Sequence, residues 1–226
     1  MATSFNLLKN GRRTQTVWRE KRSIPQVLLS LFLVVLIWSG VNPHDRFTWF
    51  LEVVPAMVGA TILVATYRRF PLTPLAYWLA FIHACILCVG GHYTYAEVPI
   101  GNWIRDWLDL SRNHYDRLGH VAQGFVPAIL AREVLIRTSP LRPGAWLFFL
   151  VTCFCLALSA TYELIEWQVA VWTGTAADAF LGTQGDVWDT QKDMALALVG
   201  AILAQTLLAR RHDRALAAAE ERRQPA

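Results

Sequence analysis

Residues 144–172 read GAWLFFLVTCFCLALSATYELIEWQVAVW, and this stretch decides the fold. Its first nineteen residues, 144–162, hold no charged side chain. As a helix, the whole stretch is long enough to cross the ~30 Å of hydrocarbon in a bilayer. Working outward, five more apolar runs of comparable length occupy 23–41, 47–67, 72–96, 115–137 and 186–210. The pattern predicts an all-α polytopic bundle of six transmembrane helices. A composition of 54% hydrophobic and 17% charged residues would also suit a soluble core. Distribution, not total content, therefore makes the case.

Charge placement orients the chain. With the N-terminus assigned to the cytoplasm, sixteen Lys and Arg side chains fall on the inner side and five on the outer. That asymmetry is the positive-inside rule, and six spans return the C-terminus to the cytoplasm. The basic excess is thus read as a topology signal and a lipid-headgroup contact, not as a nucleic-acid surface. Residues 1–22 read as a basic cytoplasmic arm, 23–210 as the membrane domain and 211–226 as a cytoplasmic tail that can extend the last helix. The first run is read as an uncleaved helix, since no small-x-small cleavage site follows Trp38-Ser39-Gly40. Cys85, Cys88, Cys153 and Cys155 lie mid-run among apolar neighbours, where cysteine behaves as a small hydrophobe.

Two outer connections stand out. Residues 97–110, EVPIGNWIRDWLDL, place Ile100, Trp103, Ile104, Trp107 and Leu108 at helical spacing. This predicts a short amphipathic helix in the outer interface, serving as a connector or as a lid over a site. Residues 173–185 are small, polar and glycine-rich, which suits either a headgroup-wrapping loop or a flexible turn.

The strongest functional signal is the set of polar residues within the runs, because ionisable groups in hydrocarbon are costly and face one another or a wet cavity. Asp116, His120 and Gln123 stand at i, i+4 and i+7 at the outer end of the fourth run. Glu163 and Glu166 stand at i and i+3 near the outer end of the fifth, and Asp186, Asp189 and Asp193 open the sixth. Six of these carboxylates cannot all remain ionised in one low-dielectric layer without protonation, pairing with Arg117 or Lys192, or a shared cation. Carboxylates with one imidazole suit a hard or borderline divalent metal ion. Asp116, His120, Glu163, Glu166, Asp186 and Asp189 are the expected ligands, with Asp116, His120, Glu163 and Glu166 also the candidate catalytic groups. Gln123, Asp193, Arg117 and His92 are expected to orient them, and His120 is also a candidate general base set by Asp116. Taken singly, the same carboxylates serve equally well as helix caps or interhelical glue, for example through an Arg117–Glu166 pair. His83, alone in an apolar run, is read as an interhelical hydrogen-bonder. Glu52, Tyr93 and Tyr95 fall at comparable depth to the cluster.

The order of YDRLGHVAQG at 115–124, YELIEW at 162–167 and GDVWDTQKDM at 185–194 resembles the YjdF-type inner-membrane proteins, a bacterial family with a domain of unknown function. GHYTYAEVP at 91–99 belongs to the same resemblance, which covers roughly residues 25–210. The pattern is also faintly similar to VanZ-like membrane proteins. What the resemblance implies is a multi-pass bacterial inner-membrane location, and it carries no activity over.

Three functions follow as expectations. The first is a periplasm-facing site, using the cluster and a divalent ion, that acts on or binds a lipid or lipid-linked substrate. The second is a transporter for a small solute or coupled to protons, which requires polar groups continuing inward. The inner halves of the fourth and sixth runs, 126–130 and 195–203, are almost wholly apolar. The third is a structural or accessory membrane subunit. Oligomeric state is not legible in the sequence.

Overall fold

The computed structural model describes residues 23–174 and 178–221, and all regular structure among them is helical. The order is α1 (Ser23–Gly40), α2 (Arg46–Thr66), α3 (Pro74–Tyr93), a 3₁₀ turn (Tyr95–Glu97), α4 (Pro99–Trp107), α5 (Tyr115–Thr138), α6 (Ala145–Thr173), α7 (Asp178–Leu181) and α8 (Asp189–Glu220). The basic arm expected at 1–22 and the end of the tail, 222–226, lie outside the described residues.

Five of these helices, α1, α2, α3, α6 and α8, are long and apolar enough to cross a membrane. Their outer surfaces remain apolar, with Ile37 68%, Leu164 63% and Leu207 67% exposed. α5 is 24 residues long but carries Asp116, Arg117, Arg132, Glu133 and Arg137, so hydropathy alone does not mark it as a span. Packing explains the difference. α5 lies against α3, α6 and α8, its most extensive contact being with α8, and buries Asp116, His120, Arg132 and Glu133 among its neighbours. A helix enclosed by protein has little need of a lipid-facing stripe.

α5 and α8 meet backbone to backbone. A Cβ on Gly124 would sit 1.8 Å from the Ala197 carbonyl oxygen, and one on Gly200 would sit 2.2 Å from that of Val121. Below this crossing a dry core forms from Ala128 and Ile129 of α5, Val151 and Cys155 of α6, and Ala201 and Ala204 of α8. A second core joins Phe32 of α1, Val53 and Ala56 of α2 and Cys88 of α3. Cys88 and Cys155 are fully buried, and none of the four cysteines is in a disulfide.

Helix ends differ from the expected runs for local reasons. α2 starts where the Asp45 carboxylate accepts the Thr48 N–H at 2.7 Å, a bond that also holds the Asp45 carboxyl below its usual range. α3 stops at Tyr93 because Thr94 takes φ +59°, a conformation rare for a branched residue. α8 begins at Asp189, not Asp186, and runs on to Glu220.

That extension is anchored. At the far end of α5, the Glu133 carboxylate receives four donors: Thr73 N–H at 2.8 Å, Thr73 Oγ1 at 2.7 Å, Arg137 at 2.8 Å and His212 Nε2 at 3.1 Å. Arg132 lies 3.0 Å from His212 Nδ1 and pairs with Asp213 at 2.6 Å. An arginine only donates, so His212 accepts at Nδ1 and donates its Nε2–H to Glu133. Glu133 and His212 are fully buried.

Two stability measurements test this account. Gly124→Ala and Gly200→Ala each overpack the α5–α8 contact and lower the melting temperature of detergent-purified protein, at a cost of about 1–3 kcal/mol or more. Gly59→Ala, where a Cβ meets nothing within 4 Å, leaves it unchanged or higher. Glu133→Ala strands buried donors at a cost of about 3–5 kcal/mol, while Glu133→Gln, which keeps an acceptor, costs less.

Candidate functional site

The crossing at Gly124 and Gly200 sets the N-terminal turns of α5 and α8 side by side, and α6 closes the third flank. Asp116, His120 and Asp193, all buried, offer ligand atoms that lie within 4.8 Å of one another. His120 Nε2 is 3.4 Å from Asp116 Oδ1 and 4.0 Å from Asp193 Oδ2. Its Nδ1 faces Gln123 Oε1 at 3.2 Å and Glu163 Oε1 at 3.7 Å. One imidazole therefore has three carboxylates and an amide around it. Asp116 Oδ2, Glu163 Oε1 and Asp193 Oδ1 are buried with no hydrogen-bond partner among the described residues. Each has a nitrogen just beyond hydrogen-bond reach, Arg112 at 3.6 Å from Asp116 Oδ2, Arg117 Nε at 3.6 Å from Asp193 Oδ1 and His120 Nδ1 at 3.7 Å from Glu163 Oε1. The polar contacts of this centre are therefore loose where buried groups in native proteins are usually bonded.

A second group lies towards the surface and is already neutralised. Arg112 reaches Asp189 Oδ1 at 2.5 Å and donates to the carbonyls of Gly182 and Thr183 at 3.1 Å each. Arg117 bonds Asp186 at 2.8 Å and Asp189 at 3.0 Å, and its Nε comes within 3.6 Å of Asp193. Lys192 closes on Asp186 at 2.6 Å. Asp186 sits in the turn before α8, where it also accepts the Trp188 N–H at 3.1 Å. The Lys192 ammonium, that amide and the Arg117 guanidinium hold the Asp186 carboxyl below its usual range.

The expected residues thus fall into distinct places. Asp116, His120, Gln123, Glu163 and Asp193 converge, with Asp193 among the ligand atoms and not merely behind them. Asp186 and Asp189 are engaged by Arg112, Arg117 and Lys192, and Arg117 pairs with those aspartates instead of Glu166. His92 stacks on Trp38 at 4.6 Å and bonds the Ser39 carbonyl at 3.0 Å, which ties α3 to α1 rather than to the cluster.

Glu166 lines a cavity of about 150 Å³ together with Glu52, His83, Tyr95 and Tyr162, and Asp116 and His120 stand in the same wall. The Tyr95 ring is wedged between helices, since a Cβ on Gly90 of α3 would fall 2.4 Å from it and one on Gly119 of α5 2.9 Å. His83, expected to bridge helices, has its Nε2 buried and unbonded, as is the Tyr162 hydroxyl.

Arg112 escaped the sequence reading because it lies in a connection and counts as one more outer basic residue. Its signal was its place four residues before Asp116, which puts their side chains 3.6 Å apart. The connection is rigid. Asn113, fully buried, donates to the Val98 carbonyl at 3.0 Å, while the Gln184 side chain bonds its N–H and carbonyl at 3.0 and 2.9 Å. The second half of the glycine-rich segment is therefore a clamp on 112–113; residues 175–177 lie outside the described residues.

The 97–110 connection does form a helix, α4, with Trp103 70% and Trp107 83% exposed.

Comparison with known proteins agrees with the sequence resemblance. The family model described as predicted membrane protein (DUF2238) matches residues 24–214. The chain is 55% identical over 183 residues to inner membrane protein YjdF of Escherichia coli (strain K12), across 81% of this chain and 88% of that protein. No solved structure matches. The matched span contains the helices from α2 to the end of the α8 core, the imidazole centre and both charged networks, and the chain belongs to this family of membrane proteins.

Proposed function

We propose that this is a six-span inner-membrane protein with both termini in the cytoplasm, and that Asp116, His120 and Asp193 bind one divalent cation near the periplasmic face. α5 is the sixth span in this reading, and α4 lies in the outer interface with its tryptophans at headgroup depth. The arm at 1–22 and the tail beyond α8 are cytoplasmic. The basic residues at the Glu133 end of α5 and the acidic cluster at the other end support this direction. The relative's name, an inner membrane protein, supports the location.

One observation carries the cation. Asp116, Glu163 and Asp193, all buried residues, each keep an oxygen without a hydrogen bond around a single imidazole. Ionised carboxylates are costly to bury without a counter-charge, and Arg112 and Arg117, bonded to Asp186 and Asp189, approach Asp116 and Asp193 only to 3.6 Å. An oxygen-rich set with one nitrogen suits Mn²⁺, Zn²⁺ or Mg²⁺, with Gln123 and Glu163 orienting His120. Such an ion would polarise a phosphoryl oxygen or a water for attack on a lipid or lipid-linked substrate. A conducting path gains little from the structure, because the dry core of Ala128, Val151 and Ala201 lies deeper than the cluster.

Elemental analysis of detergent-purified protein tests the cation. About one equivalent of divalent metal is expected, with affinity falling at least tenfold, about 1.4 kcal/mol, in Asp116→Asn, His120→Ala and Asp193→Asn. Folded parent protein that takes up no metal when exposed to these ions rules the reading out. For topology, a fluorescent protein fused at the C-terminus is expected to light up in cells, and alkaline phosphatase fused near residue 110 to be active. The reverse pattern would invert the site to the cytoplasmic side.

A further inference from the structure

The cavity is not sealed towards the bilayer. α2 packs on α3, and α6 on α5 and α8; α2 and α6 have no extensive contact with each other and are bridged by the short α7, which touches both. Between them runs a cleft with α3 and α5 as its back wall. Its α2 side presents Glu52 and Pro55. Gly59 follows on the same face, and a Cβ there would meet nothing within 4 Å. Its α6 side presents Leu158, Ile165 and Glu166, with Leu158 39% and Ile165 50% exposed. The α1 core packs on a different face of α2, through Val53 and Ala56, so the lateral opening proposed below lies beside α7 and not under α1.

The cleft is graded along its length. Nearer the bilayer centre it is bounded by Pro55, Leu87 and Leu158, with Gly59 one turn beyond Pro55 on α2. Towards the outer end it becomes acidic, with Glu52 and Glu166, and aromatic, with Tyr95 and Tyr162. No lysine or arginine is among its lining side chains. A free anion would be repelled there, whereas an ammonium would offset one carboxylate charge, the pair sharing the remaining proton, and bind against the tyrosine faces. The Tyr162 hydroxyl and His83 Nε2, both buried and unbonded, add acceptors and donors for a polar headgroup.

We infer that this cleft is a lateral portal that admits a membrane lipid bearing a primary amine, its ammonium between Glu52 and Glu166 and its chain along Pro55, Leu158 and Ile165. The headgroup then lies beside His120 and Asp116, which line the same cavity. In that respect the inference rests on the outer-end site proposed above, but the lipid is bound by residues outside the cation set.

The test is native mass spectrometry of delipidated full-length protein titrated with phosphatidylethanolamine, phosphatidylglycerol or free ethanolamine. Phosphatidylethanolamine is expected to bind at least tenfold more tightly than phosphatidylglycerol, with free ethanolamine weaker still. Glu52→Gln with Glu166→Gln abolishes that preference while leaving bound metal in place. Gly59→Trp, which fills the cleft without touching a polar group, blocks the lipid but not free ethanolamine. Equal binding of the two lipids, or a preference unchanged in the double variant, overturns the inference. Free ethanolamine binding as tightly as the lipid overturns the lateral route, as does a dimer whose Gly59→Cys copies crosslink across the cleft. Metal analysis on the same samples separates the readings, since loss of metal in Asp193→Asn with lipid preference intact is failure of neither.

Discussion

Helix α5 can be both polar and central because it touches α8 without side chains between them. At Gly124 and Gly200 each helix presents bare backbone to the other's carbonyls, an approach that any Cβ would prevent. In a bilayer there is little hydrophobic gain from bringing two helices together, so close van der Waals contact and polar bonds supply the association. The glycine crossing gives the first and sets up the second. Above it, Asp116 and His120 meet Asp193; below it, Arg132 and Glu133 meet His212 and Asp213. Both ion networks are consequences of one interaxial distance.

The two ends then diverge in chemistry. At the Glu133 end every acceptor is matched, the imidazole has a defined tautomer, and Thr73 at the start of α3 is drawn into the same carboxylate. That end is closed, and its role follows from its completeness: it fixes the helices against one another. At the other end the imidazole has one amide bond, to Gln123, while Asp116, Glu163 and Asp193 each keep a buried oxygen without a hydrogen bond, with Arg112 and Arg117 no nearer than 3.6 Å to them. Fully satisfied polar networks stiffen a core, while partly satisfied ones are costly unless another species completes them. That contrast is what supports proposing a site at the outer end.

How much of this was readable from sequence depends on whether the cause was local. Five spans follow from hydropathy because each faces lipid over much of its surface, and residues 144–172 are plain for that reason. α5 fails the same test, since its environment is protein. Its sequence, 115–137, reads as an apolar run of spanning length only because its middle is mainly apolar. The convergence of Asp116, His120, Gln123 and Glu163 was legible from helical spacing and shared depth. The membership of Asp193 and the diversion of Asp186 were not, because both depend on where α8 starts. Gln184 and Gly185, both at positive φ, turn the chain just before Asp186, and α8 starts at Asp189, three residues after the start of the expected run. Arg112 and the Glu133–His212 contact join segments about seventy to eighty residues apart, and no periodicity reports a contact of that kind.

Tyr95 shows how a local oddity links these levels. Thr94 adopts a backbone conformation that costs of order 1–3 kcal/mol for a branched residue. Ending α3 there redirects the next residue inward, and the ring enters a slot that exists only because Gly90 and Gly119 lack side chains. The phenol thereby separates α3 from α5 at the outer end, while the same two helices pack directly further in. A wedge at one end of a helix pair opens a space at that end. The cavity beside Glu52, Glu166 and His120 is that space, and its depth is limited where the dry core of Ala128 and Val151 begins. Strain at Thr94, two glycines and one tyrosine thus account for the cavity at the acidic end of the bundle.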